Sequence, residues 1–373
     1  MKPDYDNSIV NLMSSIGRHF NFKSDYKPLD IDIKGKNVVL LIIDGLGYNF
    51  LNKHKNSFLR KHLKKKITSV FPSTTASAIT SFHTGDAPLQ HGIVGWFTYL
   101  KELGVIATIL RMNPMYGGET FRSAGIYRKH LFDVPEFYEK IKSSFYYIMP
   151  DEIVFDKRDV GRKHTRTYNT KNQFFSQIKR SVQAHKKKKY IYAYWPHLDG
   201  TCHFNGPKSK EAKKHFLMID RDIKKLAKSL EKSNTTLIVT ADHGFVDVPK
   251  NKYIELGDHP KFLDTLSVLP SGDIRVKYCF VRLNKEKEFL SYVKKNFNKF
   301  CTVHKSTDLV KDGWFGKFKP HPHFFDRVGD YTLIMKENYV FRDPLLNKAM
   351  FLKGHHSGVS EDEMFVPLIK FEL

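Results

Sequence analysis

Residues 37–43 read NVVLLII and run directly into Asp44-Gly45-Leu46-Gly47. This segment constrains the fold more than any other. A run that is apolar at every position after Asn37 cannot keep one face in water, so it belongs in a sheet covered on both sides, as a parallel sheet between helices is. In such open sheets ligands collect beyond the carboxyl ends of the strands. A carboxylate placed at that end, here Asp44, is therefore a candidate for chemistry.

The pattern recurs. A strand over 190–194 leads into Trp195-Pro196-His197-Leu198-Asp199, and a strand over 235–240 into Ala241-Asp242-His243-Gly244. A shorter strand over 67–71 leads into Pro72-Ser73-Thr74-Thr75 and a small-residue helix to about 83. Helices are expected over 8–20, over a Lys-rich stretch near 49–65, and over about 208–231. The alternation of strands and helices predicts an α/β sandwich with a central, largely parallel sheet. Residues 1–250 and 331–373 would form the core, with an irregular insertion at about 96–185. Residues 251–330 have their own strand, helix and strand (275–283, 285–297, 301–304) and read as a small inserted α+β lid. The strand over 331–335 would then return to the main sheet.

Composition narrows the partners. There are 62 Lys and Arg against 39 Asp and Glu, a formal charge of +23, which attracts anions. The plainer account is a solvated, Lys-rich surface, so charge alone leaves nucleic-acid binding open. The three cysteines, Cys202, Cys279 and Cys301, have no CxxC spacing, which argues against a disulfide framework or zinc knuckle. No stretch approaches ~18 apolar residues, the length a membrane-spanning helix needs. A reducing, cytoplasmic setting is the expectation.

Three Asp, three His and one Thr stand out together. Asp199 and His203 form a D-x-x-x-H pair, close enough to face one ion from a single turn. Asp242 and His243 are adjacent at a strand end, Asp44 supplies a third carboxylate, and His356 lies in Gly354-His355-His356-Ser357-Gly358. Ser73, Thr74 and Thr75 open a helix, whose free N–H groups suit an anion and an activated hydroxyl. Taken alone, they are ordinary helix caps. Hard carboxylates with imidazoles suit zinc or manganese, and six such ligands suffice for two ions. Two ions ~4 Å apart can clamp an in-line phosphoryl displacement.

The motifs in order are IIDGLG, FPSTTASAITSFHTG, HGIVG, YWPHLDGTCHFNGP, TADHG and GHHSGVSEDEMFVPL. Together they resemble the alkaline phosphatase superfamily, and within it the type I phosphodiesterase/nucleotide pyrophosphatase branch. The resemblance implies that Asp199, His203 and His356 hold one zinc, and that Asp44, Asp242 and His243 hold the other. It implies that Thr75, three residues after Pro72, is the nucleophile and touches the second ion. The implied activity is hydrolysis of a phosphodiester or phosphoanhydride, on an anionic and nucleotide-type substrate, through a phospho- or nucleotidyl-threonine. The chain departs from the branch at Trp96, where an Asn that holds a phosphoryl oxygen is usual. Trp96 and Tyr99 could stack on a nucleobase instead. Arg111, Arg275 and Arg327 are cations that could meet a second phosphate. Alternatives are a phosphomonoesterase, a phosphonate hydrolase, or a non-catalytic, metal-braced protein that binds anions or nucleic acid.

Overall fold

A computed structural model describes residues 1–153, 165–345 and 351–373. The main sheet contains β1 (Asn37–Ile43), β2 (Leu63–Thr68), β3 (Ser144–Pro150), β4 (Thr165–Tyr168), β5 (Lys189–Trp195), β6 (Thr235–Thr240) and β7 (Phe365–Glu372). Their order is β2-β7-β6-β1-β5-β3-β4. The strands from β6 to β4 pair parallel, and only β7 runs antiparallel to its two neighbours. Every residue of β1, β5 and β6 is buried, as expected of strands with apolar and threonine side chains on both faces.

Helices flank this sheet. Helix Lys210–Ser229 buries Ala212, Phe216, Ile219, Ile223 and Leu226, a helical stripe, and leaves its lysines in water. Ser209 starts it by accepting the Ala212 N–H at 3.1 Å. Helices Ile9–His19 and Thr75–Thr84 pack on each other, as do Lys171–Gln183 and Lys210–Ser229. The α/β sandwich expected from the strand runs is the architecture of the molecule.

Four local expectations change. The stretch near 49–65 is two short helices, Tyr48–Asn52 and Phe58–Lys61, and then β2. It is a pair rather than one helix because Ser57 caps a new start, accepting the Arg60 N–H at 3.2 Å. The strand expected over 67–71 accordingly begins earlier, at Leu63. Within 96–185, β3, β4 and helix Lys171–Gln183 belong to the main layer. Finally, Tyr331–Met335 does not rejoin the main sheet. It pairs antiparallel with Val276–Cys279 and Cys301–Lys305.

Those strands form a second, antiparallel sheet. Its order is Cys301–Lys305, Tyr331–Met335, Val276–Cys279, Ser271–Gly272, Phe97–Leu100, Val105–Thr108, Asn113–Pro114. Strands from the 96–185 stretch and from the 251–330 stretch thus share one sheet. It has its own apolar clusters, one around Phe262, Phe289, Phe297 and Phe341, another around Phe71, Tyr278 and Phe315.

Candidate active site

Three strand ends deliver the acids. Asp44 follows β1, Asp242 follows β6, and Asp199 lies in helix His197–Asn205 just beyond β5. Because β1 lies between β5 and β6, the three meet at one point on the sheet's carboxyl edge. Gly45 permits the turn out of β1. Its φ is +75°, and a Cβ there would stand 2.5 Å from the Phe245 ring.

Asp44 Oδ1 and Asp242 Oδ2 each lie 3.4 Å from His243 Nε2, and Thr75 Oγ1 lies 3.1 Å from the same nitrogen. Asp199 Oδ1 is 3.4 Å from His203 Nε2 and 3.9 Å from His356 Nε2. Asp199 and His203 are one helical turn apart, so the D-x-x-x-H spacing puts both on one face. Two groups bring their ligand atoms within 4.8 Å of one another: Asp44, Asp242 and His243, and Asp199, His243 and His356. His243 stands between both groups, and its ring stacks on His356 with centroids 3.7 Å apart.

The site holds charge without compensation. Asp44 and Asp242 are buried, and Asp44 Oδ1, Asp199 Oδ1 and Asp242 Oδ2 are buried oxygens with no hydrogen-bond donor among the described residues. Burial first, and then the charges of Asp242 and Asp199, push the Asp44 carboxyl well above the ordinary range. Burial also raises Asp199, against the opposing pull of His203 and His243. Burial, followed by His243 and His203, holds His356 well below its ordinary value and therefore neutral. Orphaned hard oxygens beside imidazoles are the donor set of a divalent cation. The residues present therefore fit two such ions.

Several of the other oxygens and nitrogens of these side chains are held in place. Tyr194 donates to Asp44 Oδ2. Asp242 Oδ1 accepts the Gly45 and His243 N–H groups at 3.1 and 3.0 Å. His203 Nδ1 lies 2.8 Å from the Gly354 carbonyl and His243 Nδ1 lies 3.1 Å from that of Gly244, which leaves Nε2 to face the site. Thr75 is the first residue of helix Thr75–Thr84, with Thr74 at the cap position.

Several supports escaped the sequence reading. Ser73 Oγ donates to the Gly358 carbonyl at 2.7 Å, and the Ser357 N–H to the Ser73 carbonyl at 2.9 Å, tying the threonine turn to the His356 loop. Glu363 accepts the Gly358 N–H at 2.7 Å and pairs with Arg275 through bonds of 2.7 and 3.1 Å. The one available signal was Ser360-x-x-Glu363, a capping-box spacing. Arg275 is thus spent on the fold, as is Arg327, which donates to the Gly92 carbonyl at 3.0 Å and pairs with Glu102 at 3.1 Å; Arg111 is exposed.

Trp96 and Tyr99 are separated by the structure. The Trp96 N–H donates to buried Asp273 at 3.1 Å, and its ring packs in a cluster with Ala76, the neighbour of Thr75. Tyr99 meets Phe280 edge-on at 4.9 Å and lines a different cavity, with Lys101, Phe325 and Tyr331. Among the described residues neither Cys202 nor His83, His91, His259, His321 or His323 belongs to the two groups.

A doubly wound α/β sandwich with acids and imidazoles gathered at its strand ends is the architecture of the alkaline phosphatase superfamily. Within it, the chain belongs to the type I phosphodiesterase / nucleotide pyrophosphatase family, whose model matches residues 38–358. Members of this family use two divalent metals. Among solved structures, murine ectonucleotide pyrophosphatase / phosphodiesterase 5, in an inactive threonine-to-alanine form with AMP bound, is similar at a TM-score of 0.67. It is 18% identical, with 90% of this chain and 87% of that one covered. The human protein of the same name matches at a TM-score of 0.67 and 19% identity, over 89% of this chain and 87% of that one. At such identities the likeness establishes the shared fold. Family membership makes the chain a hydrolase of phosphodiester bonds.

Proposed function

We propose that the protein hydrolyses a nucleotide phosphodiester or phosphoanhydride with Thr75 as nucleophile, between two divalent ions. One observation carries this reading. Thr75 Oγ1, at a helix N-terminus, lies 3.1 Å from His243 Nε2, the atom on which Asp44 and Asp242 also converge. Asp44, Asp242 and His243 would hold one ion and Asp199, His203 and His356 the other, zinc being our choice for both and manganese the alternative. Bound there, the ions would neutralise the three acids and draw charge from the phosphoryl oxygens.

Thr75 Oγ1 attacks phosphorus, the bond to the leaving group breaks, and the leaving group takes up a proton. The product is a threonine phosphoester. Water then cleaves this ester, releasing the phosphorylated product and restoring the hydroxyl. The N–H groups of the helix's first turn have no intrahelical partner and take the place of the missing Asn as phosphoryl donors. The AMP bound to the murine relative supports a nucleotide as substrate. We assign Trp96, which packs against a cluster containing Ala76, to flank its base, and leave Tyr99 without that role. The three cysteines are free and buried, which supports the cytoplasmic setting we propose. We also read the second sheet as the cap of the site, joined to it through Arg275.

The test sets a chromogenic nucleotide diester beside the matching monoester, with zinc or manganese added and Thr75→Ala as control. Diester turnover that falls at least about 10³-fold in the variant, with metal content retained, is expected. Wild-type turnover by Thr75→Ala would overturn the assignment. A preference for the monoester would keep the nucleophile and change the substrate.

A further inference from the structure

The sequence offered three arginines to a second phosphate, and the fold withholds two of them. Arg275 and Arg327 are each 1% exposed and bonded to protein partners. A substrate whose leaving group carries phosphate is therefore left with Arg111 alone of the three, and further cations have to come from elsewhere.

A cavity of about 620 Å³ opens beside the candidate site. Its wall includes Gly45, next to Asp44, and Phe245, two residues beyond His243. The Phe245 ring stands edge-on to His203 and His356 with centroids 4.9 and 5.2 Å away, so one residue of the cavity wall packs on the ligand cluster. Lys53, Lys208, Lys210 and Lys213 also line it. Lys208 is engaged by Asp247 at 3.1 Å. Lys53, Lys210 and Lys213 make no ion pair among the described residues. The cavity's other acids are taken: Asp362 accepts from Asn49 at 2.7 Å, and Glu337 pairs with Lys252 at 2.9 Å. Three ammonium groups thus face a cavity whose acids are Asp247 and Glu337, each paired with a lysine, and Asp362, held by an amide. The lysine charges are felt locally, since His54 in the same wall is held below its ordinary value by burial first, and then by Lys213 and Lys53.

We propose that this cavity is the subsite for a phosphate-bearing leaving group, a pyrophosphate or a nucleoside phosphate, held by Lys53, Lys210 and Lys213. The inference rests on the hydrolase reading above and adds to it a preference for phosphoanhydrides over simple diesters. The chemistry is charge complementarity. A leaving pyrophosphate gains negative charge as the bond breaks, and cations beside it stabilise that charge more in the transition state than in the ground state.

Two substrates isolate the effect: a nucleoside triphosphate and the nitrophenyl ester of the same nucleoside monophosphate. Both yield the same phosphoryl product, and only the leaving group differs. In Lys53→Ala/Lys210→Ala/Lys213→Ala, the ratio of kcat/KM for the triphosphate to that for the ester is expected to fall by about tenfold or more. A ratio unchanged within about twofold would overturn the subsite. A second measurement does not depend on turnover. Calorimetry of inorganic pyrophosphate, with EDTA present to keep metals out, should show binding to the wild-type protein that weakens in the triple variant. Equal affinity in the two proteins, or none in either, would count against the cavity. A wild type that cleaves neither substrate yet binds pyrophosphate through these lysines would sink the hydrolytic reading and leave the anion subsite standing.

Discussion

Two regions of this molecule bury charge, and they treat it in opposite ways. In the second sheet, Arg275 meets Glu363, and Lys277 meets Asp343 at 2.8 and 2.7 Å, each cation facing a carboxylate in an interior that is 1–3% exposed or less. At the carboxyl edge of the main sheet, Asp44, Asp199 and Asp242 share a small volume and keep three orphaned oxygens. Buried charge is tolerated when it is paired and costs several kcal/mol when it is not. The first region's pairs are complete without a ligand. The second region leaves oxygens without a donor, which the cations we propose there would satisfy, and that difference is what we use to separate charges that serve the fold from those proposed for chemistry.

The same chemical change should therefore act with opposite signs in the two regions. Glu363→Gln removes a charge that the guanidinium of Arg275 needs, and turns an amide N–H toward donors. It should destabilise by about 3–5 kcal/mol, the cost of stranding one partner of a buried pair. Asp242→Asn removes one of three acids that repel each other. In chelated protein it should leave the melting temperature unchanged or higher, because the charge of Asp242 is among the causes that raise Asp44. Its cost should fall instead on metal content, read by elemental analysis. Comparable melting losses for both variants in EDTA would erase the distinction.

Metal removal probes the second region by itself. In chelated protein, Asp44 and Asp199 have folded values above their ordinary 3.8. A raised carboxyl stabilises the fold below its unfolded value, and that stability is lost as pH rises through the folded value. His356 has the opposite sign. Its folded value lies below its ordinary 6.5, so its contribution is present above 6.5 and lost as pH falls. Metal binding displaces the protons held by the two acids, so affinity should climb by up to about tenfold per pH unit for each proton displaced. Melting curves with and without zinc at pH 5, 6, 7 and 8 would show the gap widening with pH. A gap independent of pH would mean that the acids are already charged and compensated in the chelated protein.

What the sequence could reveal of this contrast follows from distance along the chain. Asp44, Asp199 and Asp242 each end an apolar strand, and Asp199 and His203 lie within one turn, so local pattern was enough to bring them forward. The parallel order of the strands then places those ends side by side. The partners of Arg275 and Lys277 are far away in sequence, at Glu363 and Asp343, and no local pattern points to them. The second sheet escaped for the same reason. Gly272 pairs with Phe97, and Cys301–Lys305 with Tyr331–Met335, so its pairing joins segments that read separately as an insertion, a lid and a strand of the core. Nor could composition tell Lys277, buried against Asp343, from the solvated lysines that make up most of the +23.

The smallest expected effect concerns the one donor that a side chain offers to Asp44 among the described residues. Tyr194 lies on β5 opposite Ile42 of β1, and its hydroxyl reaches Asp44 Oδ2, leaving Oδ1 to face His243. A donor of this kind orients a ligand without touching the ion, and its loss elsewhere costs roughly 10–100-fold in metal affinity. Tyr194→Phe keeps the buried ring and removes only the hydroxyl, so the fold should change little. The Asp44 carboxyl then loses the hydrogen bond that lowers its proton affinity while burial and its acidic neighbours still raise it, so protons compete with the ion more strongly. A zinc titration of the chelated variant should show weaker binding at the Asp44, Asp242 and His243 group, with the loss greatest at low pH. Affinity equal to wild type across the pH range would show that the backbone turn at Gly45 aims Asp44 without help, and that the contrast between the two regions lies in the acids alone.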